Sequence, residues 1–545
     1  MRRGLSHPLA PTVVTAVIGV GYLIAAPMTA DMAAHTFRAW LWSEMGFATW
    51  NAQWYGGHHM AGYSLIYPPL AALAGTRVVG VIATAAAVWA FTVIAKRIAS
   101  TPGAAALATW LFAAGVVSNL LVGRMPFALG IAFAVGAWAC LPRSRAGAAL
   151  LSLGSAWASP VAGVYVCVGA VAAFVGARTG RDGRDDRRAA VVLGAPALLG
   201  GLTMAALFPE GGTDRFVATA FWPMLLVSVG ALALVDPRHR IALWAAALNV
   251  VVMIGAFVLP NALGQNSLRP ILLVGAPLLV LVARPAAPRA ALVLVAAVLV
   301  YLTWLPAVRA VTEAAGDPST RAAYYDELLG FLQSRVRPGE RVEIPLTHNH
   351  WEANYVARKY PIARGWHRQL DRRANPLFYD ETELTPARYE RWLHDNAVRW
   401  IALPAASLDF SAEKEKQLLL AGQPFLKEVH RSDDWRVWEV RDPEPPASAP
   451  ARVTAAGADG FDIAASAPGS LLVRQRWTPY WTVVDGDACV SSDDGSEWTR
   501  VDVKSTGVVR VRARLSAAGA LRHEPRCADI QENDAKAISP PVGSG

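Results

Sequence analysis

The chain has 545 residues and a net charge of +9, with 54% hydrophobic and only 17% charged residues. Soluble proteins carry about 25% charged residues, so a disordered chain, a disulfide-framework miniprotein and an ordinary cytosolic enzyme are excluded. Mean hydropathy is +0.29, and the apolar residues fall in long blocks of the kind that cross a bilayer.

Taken in chain order, spans are expected near Pro11–Met28, Thr76–Ala95, Ala104–Val122 and Pro126–Leu141. The block Ala146–Ala177 is too long for one span and is split at Ser159-Pro160, because proline removes a helix donor and clashes with the preceding turn. Further spans are expected near Ala189–Phe208, Phe216–Val235, Ile241–Leu259, Pro270–Val282 and Arg289–Pro306. The total is about eleven transmembrane helices. Loop arginines alternate as the positive-inside rule requires. Arg2 and Arg3, Lys96 and Arg97, Arg143 and Arg145, the run from Arg178 to Arg188, Arg238 and Arg240, and Arg284 and Arg289 share one side. Single arginines (Arg38, Arg77, Arg124, Arg215 and Arg269) lie on the other. This places the amino terminus in the cytoplasm and everything after Pro306 outside. The first span is read as a retained helix, not a cleaved signal. These arginines account for the net charge without nucleic-acid binding.

The expected domains are a membrane domain over 1–308, an α/β domain over 309–441 and a β-sandwich over 451–545. The α/β reading rests on helices near Arg321–Gln333 and Ala412–Leu420 and on strands near Arg341–Pro345, Val398–Leu403, Phe425–Val429 and Trp435–Val440. Asp442–Pro450 reads as a linker. Beyond it, Leu471–Gln475, Trp481–Val484 and Val508–Ala513 alternate as sandwich strands do. Of four cysteines, Cys140 and Cys167 sit in spans and are expected reduced. Cys489 and Cys527 lie in the exterior tail and are expected to pair.

The first exterior loop, 29–70, is long and aromatic. Its first half has helical spacing, and Asp31 and His35 stand one turn apart at its start. A carboxylate at that level can take a proton from a hydroxyl in water while a lipid-linked donor waits in the membrane. The bland alternative is that Asp31 ends a helix and His35 is solvated. The loop tryptophans and tyrosines either anchor at headgroup level or stack on sugar. In the tail, His348, His350 and Glu352 would share one side of a strand, the spacing a metal site requires. The side-by-side pair His58-His59 is a weaker signal of the same kind.

The layout resembles the GT-C superfamily of polytopic membrane glycosyltransferases. A first span, a long exterior loop with an acid at its start, many further spans and an exterior carboxyl-terminal domain carry the resemblance. Trp54-Tyr55-Gly56-Gly57, Gly62-Tyr63 and Tyr67-Pro68-Pro69-Leu70 look like the loop-to-second-span signature of some bacterial relatives. The tail run from Ala363 to Asp371 is similar to a group of actinobacterial membrane proteins. The resemblance implies a polyprenyl-phosphate sugar donor, an envelope glycan or lipid acceptor and an inverting transfer in cell-wall biogenesis. It makes Asp31 and His35 the catalytic candidates. It makes Arg38, Glu44, Trp54, Tyr55, Tyr67, Arg124, Asn266 and Arg269 the substrate-binding candidates. Arginine suits the phosphate because its planar fork donates two hydrogen bonds; an interfacial, snorkelling arginine is the alternative for each. Many GT-C enzymes have two close acids after the first span, whereas here Met32 follows Asp31 and the next acid is Glu44. A divalent cation, Mg or Mn, therefore stays open. A transporter or flippase of envelope precursors, or a scaffold without activity, are the competing functions. The nearly charge-free span interiors speak against ion-coupled transport.

Overall fold

The computed structural model describes residues 9–177, 181–380, 382–516 and 519–520. The chain is a multi-pass membrane protein, mainly helical, with a β-rich carboxyl-terminal part. It forms two compact units that interleave in sequence: residues 1–46, 62–320 and 367–373, and residues 47–61, 321–366 and 374–545. This division by contacts does not follow contiguous stretches of the sequence. Part of the first loop belongs with the tail, and a short piece of the tail belongs with the membrane helices.

In the first unit the helices are α1 (Ala10–Ala25), α2 (Ala30–Met45), α3 (Tyr67–Ala74), α4 (Thr76–Ile98), α5 (Pro102–Val122) and α6 (Met125–Cys140). They continue as α7 (Arg145–Ala158), α8 (Pro160–Gly176), α9 (Arg181–Leu207), α10 (Ala218–Leu234), α11 (Arg240–Val258), α12 (Ala276–Val282) and α13 (Arg289–Ala314). All eleven expected spans are helical. By length and apolarity six segments among the described residues qualify as membrane-crossing, or seven if the bent pair α1 and α2 counts as one. The shortfall against eleven has a plain cause. Helices such as α6, with 16 residues, rise about 24 Å, short of the ~30 Å hydrocarbon core.

Two breaks shape this unit. Pro27 stops α1 after a left-handed Ala26, and α2 leaves at 81° to it. Ser159 is extended between α7 and α8, as Ser159-Pro160 predicts. These two helices approach closely where Gly163 lies against Ala156, and Ser155 of α7 donates to the Gly130 carbonyl of α6 at 2.9 Å. Before α12, residues Ile271–Gly275 form a π-helical turn. Thr303 of α13 donates to the Leu272 carbonyl there at 2.9 Å, which matters where no water is available.

The second unit contains a four-stranded sheet ordered β1-β2-β4-β3, with β1 (Arg341–Glu343), β2 (Val398–Pro404), β3 (Leu426–Arg431) and β4 (Trp435–Val440). Only β1 and β2 run parallel. Ile401, Leu403, Leu393, Trp438 and Val440 lie in its core. Seven further strands, β5 (Ala451–Gly457), β6 (Gly460–Ala465), β7 (Gly469–Arg476), β8 (Trp481–Asp485), β9 (Ala488–Ser492), β10 (Trp498–Val503) and β11 (Gly507–Ala513), form sheets ordered β7-β10-β9 and β5-β6-β11-β8. The expected linker Asp442–Pro450 is packed down: Ala447 is buried in the sandwich core, and Arg474 donates its amide to the Pro446 carbonyl. Cys140 and Cys167 are free, as expected. Cys489 is disulfide-bonded, and its expected partner Cys527 lies outside the described residues.

Candidate functional site

The site is built where α2 begins. Asp31 lies in the first turn of α2, where the helix dipole favours a carboxylate. Thr29, just before it, donates to the Val122 carbonyl at 2.9 Å and so ties this turn to the end of α5. That end is closed by Gly123 in a left-handed conformation (φ +95°); a Cβ there would meet Thr29 Oγ1 at 2.7 Å. The glycine turn delivers Arg124, whose Nε is 3.7 Å from Asp31 Oδ2, with each side chain about one-third exposed.

One turn along α2, His35 is buried, and neither ring nitrogen has a hydrogen-bond partner among the described residues. Its ring lies 5.7 Å from Tyr63 and 5.8 Å from Tyr67. Arg38, another turn on and 3% exposed, sets its guanidinium 4.1 Å from the centre of the Tyr63 ring.

Arg269 arrives from the opposite direction. Asn261 accepts the amides of Leu263 and Gly264 and so starts the 3-10 turn Gly264–Leu268 that leads into it. Tyr165 of α8 donates to the Asn266 carbonyl and holds the turn from the side. The Arg269 guanidinium stacks on Phe127 at 4.4 Å and makes no ion pair or side-chain hydrogen bond with any described residue. It lies in electrostatic range of Asp31, Arg124, Tyr63 and Tyr165, and His35 lies in range of both Arg38 and Arg269. The sequence candidates Asp31, His35, Arg38, Arg124 and Arg269 therefore meet in one cluster. It holds three guanidinium groups and one carboxylate.

Other candidates fall elsewhere. Glu44 is exposed near the far end of α2, about 20 Å along the helix from Asp31 at 1.5 Å per residue. Trp54 and Tyr55 belong to the second unit and are fully buried, so no ring face is left for a sugar. Trp54 Nε1 donates to the Ala353 carbonyl at 3.0 Å, and the left-handed turn Tyr55-Gly56-Gly57 packs Gly56 against Arg341 and Trp498. The Trp-Tyr-Gly-Gly run is thus a packing motif. Tyr67 is buried and donates its hydroxyl to the Thr76 carbonyl at 2.7 Å; it backs His35 and presents nothing to a ligand. Asn266 contributes its carbonyl to Tyr165. His350 lies in a turn, not on a strand, so His348, His350 and Glu352 do not align as ligands. His350 instead stacks on Trp366 at 3.6 Å and lies 3.6 Å from both Asp409 and Glu352. His58 stacks on Trp54, and His59 meets Trp50 edge-on.

Three residues outside the sequence-predicted site enter it: Tyr63, read from the sequence only as one of the loop aromatics, and Tyr165 and His367, which had no assigned role. His367 comes from the tail segment that joins the first unit, and its ring meets Tyr63 edge-on at 5.4 Å. Burial, and then the Arg38 charge, push its pKa down to about 3, so the ring is neutral at physiological pH. The charges of Arg372, Arg368 and Arg269 all act on Asp214. A divalent cation fits poorly here. Hard cations need several oxygen ligands, and Asp31 is a lone carboxylate among guanidiniums. No group of three or more metal-ligating side chains occurs among the described residues.

Beside Arg269 a cavity of about 790 Å³ opens between the helices. Pro270, Phe127, Tyr165, Phe91, Phe112 and Leu279 are among its lining residues, and Arg238 and Arg240 line it as well. Most of the lining is apolar, with Asn249, Asp186, Arg238, His239 and Arg240 as polar members.

No family model matches the chain, and no curated protein does. Among solved structures it is similar to the single-particle cryo-EM structure of the arabinofuranosyltransferase AftD from Mycobacteria. Identity is 11%, the TM-score is 0.44, and the match covers 95% of this chain and 58% of that chain. A mutant of the same protein in a second class gives 11% identity and a TM-score of 0.43, covering 93% of this chain and 60% of that chain. This chain thus spans less than two-thirds of the length of the protein it matches.

Proposed function

We propose that the protein is a membrane glycosyltransferase. It moves a sugar from a polyprenyl-phosphate donor to a hydroxyl of an envelope glycan or lipid acceptor at the outer face of the membrane. The observation that carries this reading is Arg269. A guanidinium with no ion pair or side-chain hydrogen bond among the described residues, in range of the Arg124 charge and next in sequence to Pro270, which lines a mostly apolar cavity, matches an anionic headgroup with a long hydrocarbon chain. In this reading the phosphate sits at Arg269 and Arg124, and the isoprenoid chain runs into the cavity from Pro270.

Asp31 takes the proton of the acceptor hydroxyl as its oxygen attacks the anomeric carbon. The bond to phosphate breaks, its electron pair stays on the phosphate oxygen, and the arginines stabilise that growing charge. One displacement inverts the anomeric centre. His35 orients the acceptor or donor through its unpartnered ring nitrogens. No step is assigned to a metal.

The test uses purified protein with a polyprenyl-phosphate sugar and a glycan acceptor. Wild type forms the glycoside, and Asp31→Asn loses it while keeping the fold. Equal transfer by both would eliminate the mechanism.

A further inference from the structure

Tyr63 is held more tightly than a loop residue needs to be. Its backbone is fixed just downstream, where the Leu65 amide donates to the Trp157 carbonyl at 2.9 Å. Three groups meet its ring: the Arg38 guanidinium at 4.1 Å, the His35 ring at 5.7 Å and the His367 ring at 5.4 Å, the last at right angles. Its hydroxyl has no hydrogen-bond partner among the described residues. The charges of Asp31, Arg38, Arg269 and Arg124 all act on that hydroxyl.

We propose that Tyr63 is a binding residue for the donor phosphate, donating a hydrogen bond from its hydroxyl to the oxygen that leaves with the polyprenyl phosphate. We further infer that His367 is the positioning residue that sets the ring. The proposal rests on the donor assigned above and adds a group to that site. The bookkeeping of the step is unchanged. The acceptor oxygen bonds to the anomeric carbon, its proton goes to Asp31, and the phosphate oxygen keeps the electron pair. Tyr63 retains its proton throughout. Burial, and next the Asp31 charge, raise the phenol above its usual range, which suits a donor and not a base. An edge-on aromatic contact orients a ring without needing a charge, so a neutral His367 is sufficient for its part.

The experiment measures binding of polyprenyl monophosphate, and of the matching polyprenol, to full-length protein in nanodiscs. Tyr63→Phe keeps the ring and removes the hydroxyl. It should weaken monophosphate binding by roughly tenfold to a hundredfold, the worth of a hydrogen bond to a charged group, and leave polyprenol binding unchanged. His367→Ala should give a similar loss, His367→Phe should restore binding, and the double variant Tyr63→Phe/His367→Ala should be no weaker than Tyr63→Phe alone. Unchanged monophosphate binding by Tyr63→Phe would overturn the proposal. So would an equal loss for the polyprenol, which would make the residue apolar packing. Additive losses in the double variant would remove His367 from it. The readout is independent of turnover: a wild type that binds the monophosphate but transfers no sugar defeats the glycosyltransferase reading and leaves the Tyr63 assignment to be judged by binding.

Discussion

Replacing Arg269 with glutamine separates a ligand-binding arginine from an interfacial one. The wild-type side chain makes no ion pair with any described residue, and its protein contact is the Phe127 ring at 4.4 Å. A cation–π contact at a partly exposed position is worth about 0.5–1 kcal/mol. Relief from the neighbouring Arg124 charge offsets part of this. Thermal stability should therefore fall by about 1 kcal/mol at most. A charge-assisted hydrogen bond to phosphate is worth about 1.5–3 kcal/mol. Since 1.4 kcal/mol is a factor of ten, donor affinity should fall roughly 10- to 150-fold. The assay pairs thermal unfolding with the donor's dissociation constant, measured for wild type and Arg269→Gln in the same detergent. Unchanged donor affinity would refute the reasoning. So would an unfolding penalty of several kcal/mol, which would assign Arg269 to the architecture.

Three more predictions concern other positions in the protein. Trp54→Ala should destabilise the protein by about 3–5 kcal/mol, because the side chain is fully buried; an unchanged melting temperature would contradict its burial. Gly123→Ala should cost at least about 1 kcal/mol, since alanine is strained at φ +95° and its Cβ would meet Thr29. It should also lower transfer by moving Arg124 away from Asp31, and a melt and rate equal to wild type would argue against this. For His350, burial opposes the charged ring, but Asp409 and Glu352 outweigh it and raise the pKa. A raised folded-state pKa gives stability that is complete below about pH 6.5, the unfolded value, and is lost as pH rises through the folded value. Melting temperatures between pH 6 and 9 should fall with pH in wild type, and this dependence should be absent in His350→Gln.

Much of the helical part was legible because long apolar blocks have few other options in a bilayer. The split at Ser159-Pro160 is a local proline effect and the acid at the start of α2 is a local feature too, whereas the expected first span ran through Pro27, where the helix in fact stops. Arg124 and Arg269 stood out because the side opposite the arginine-rich loops carries only single arginines. Chain crossing was not legible. Trp54 and Tyr55 look like exposed loop aromatics until residues 47–61 are seen to pack with the tail. His367 has no periodic signal that links it to Tyr63, and only a long-range contact reveals it. His350 failed as a metal candidate because alternate spacing implies one side only on a strand, and the chain turns there.

The central claim is that a lipid-linked phosphate occupies the arginine cluster with its chain in the adjoining cavity. A cryo-EM structure of the protein in nanodiscs with polyprenyl phosphate tests it most directly. The account predicts phosphate density within hydrogen-bonding distance of Arg269 and Arg124, with continuous chain density entering past Pro270 and Phe127. Lipid phosphate bound elsewhere, with this cluster bare at saturating lipid, would contradict it.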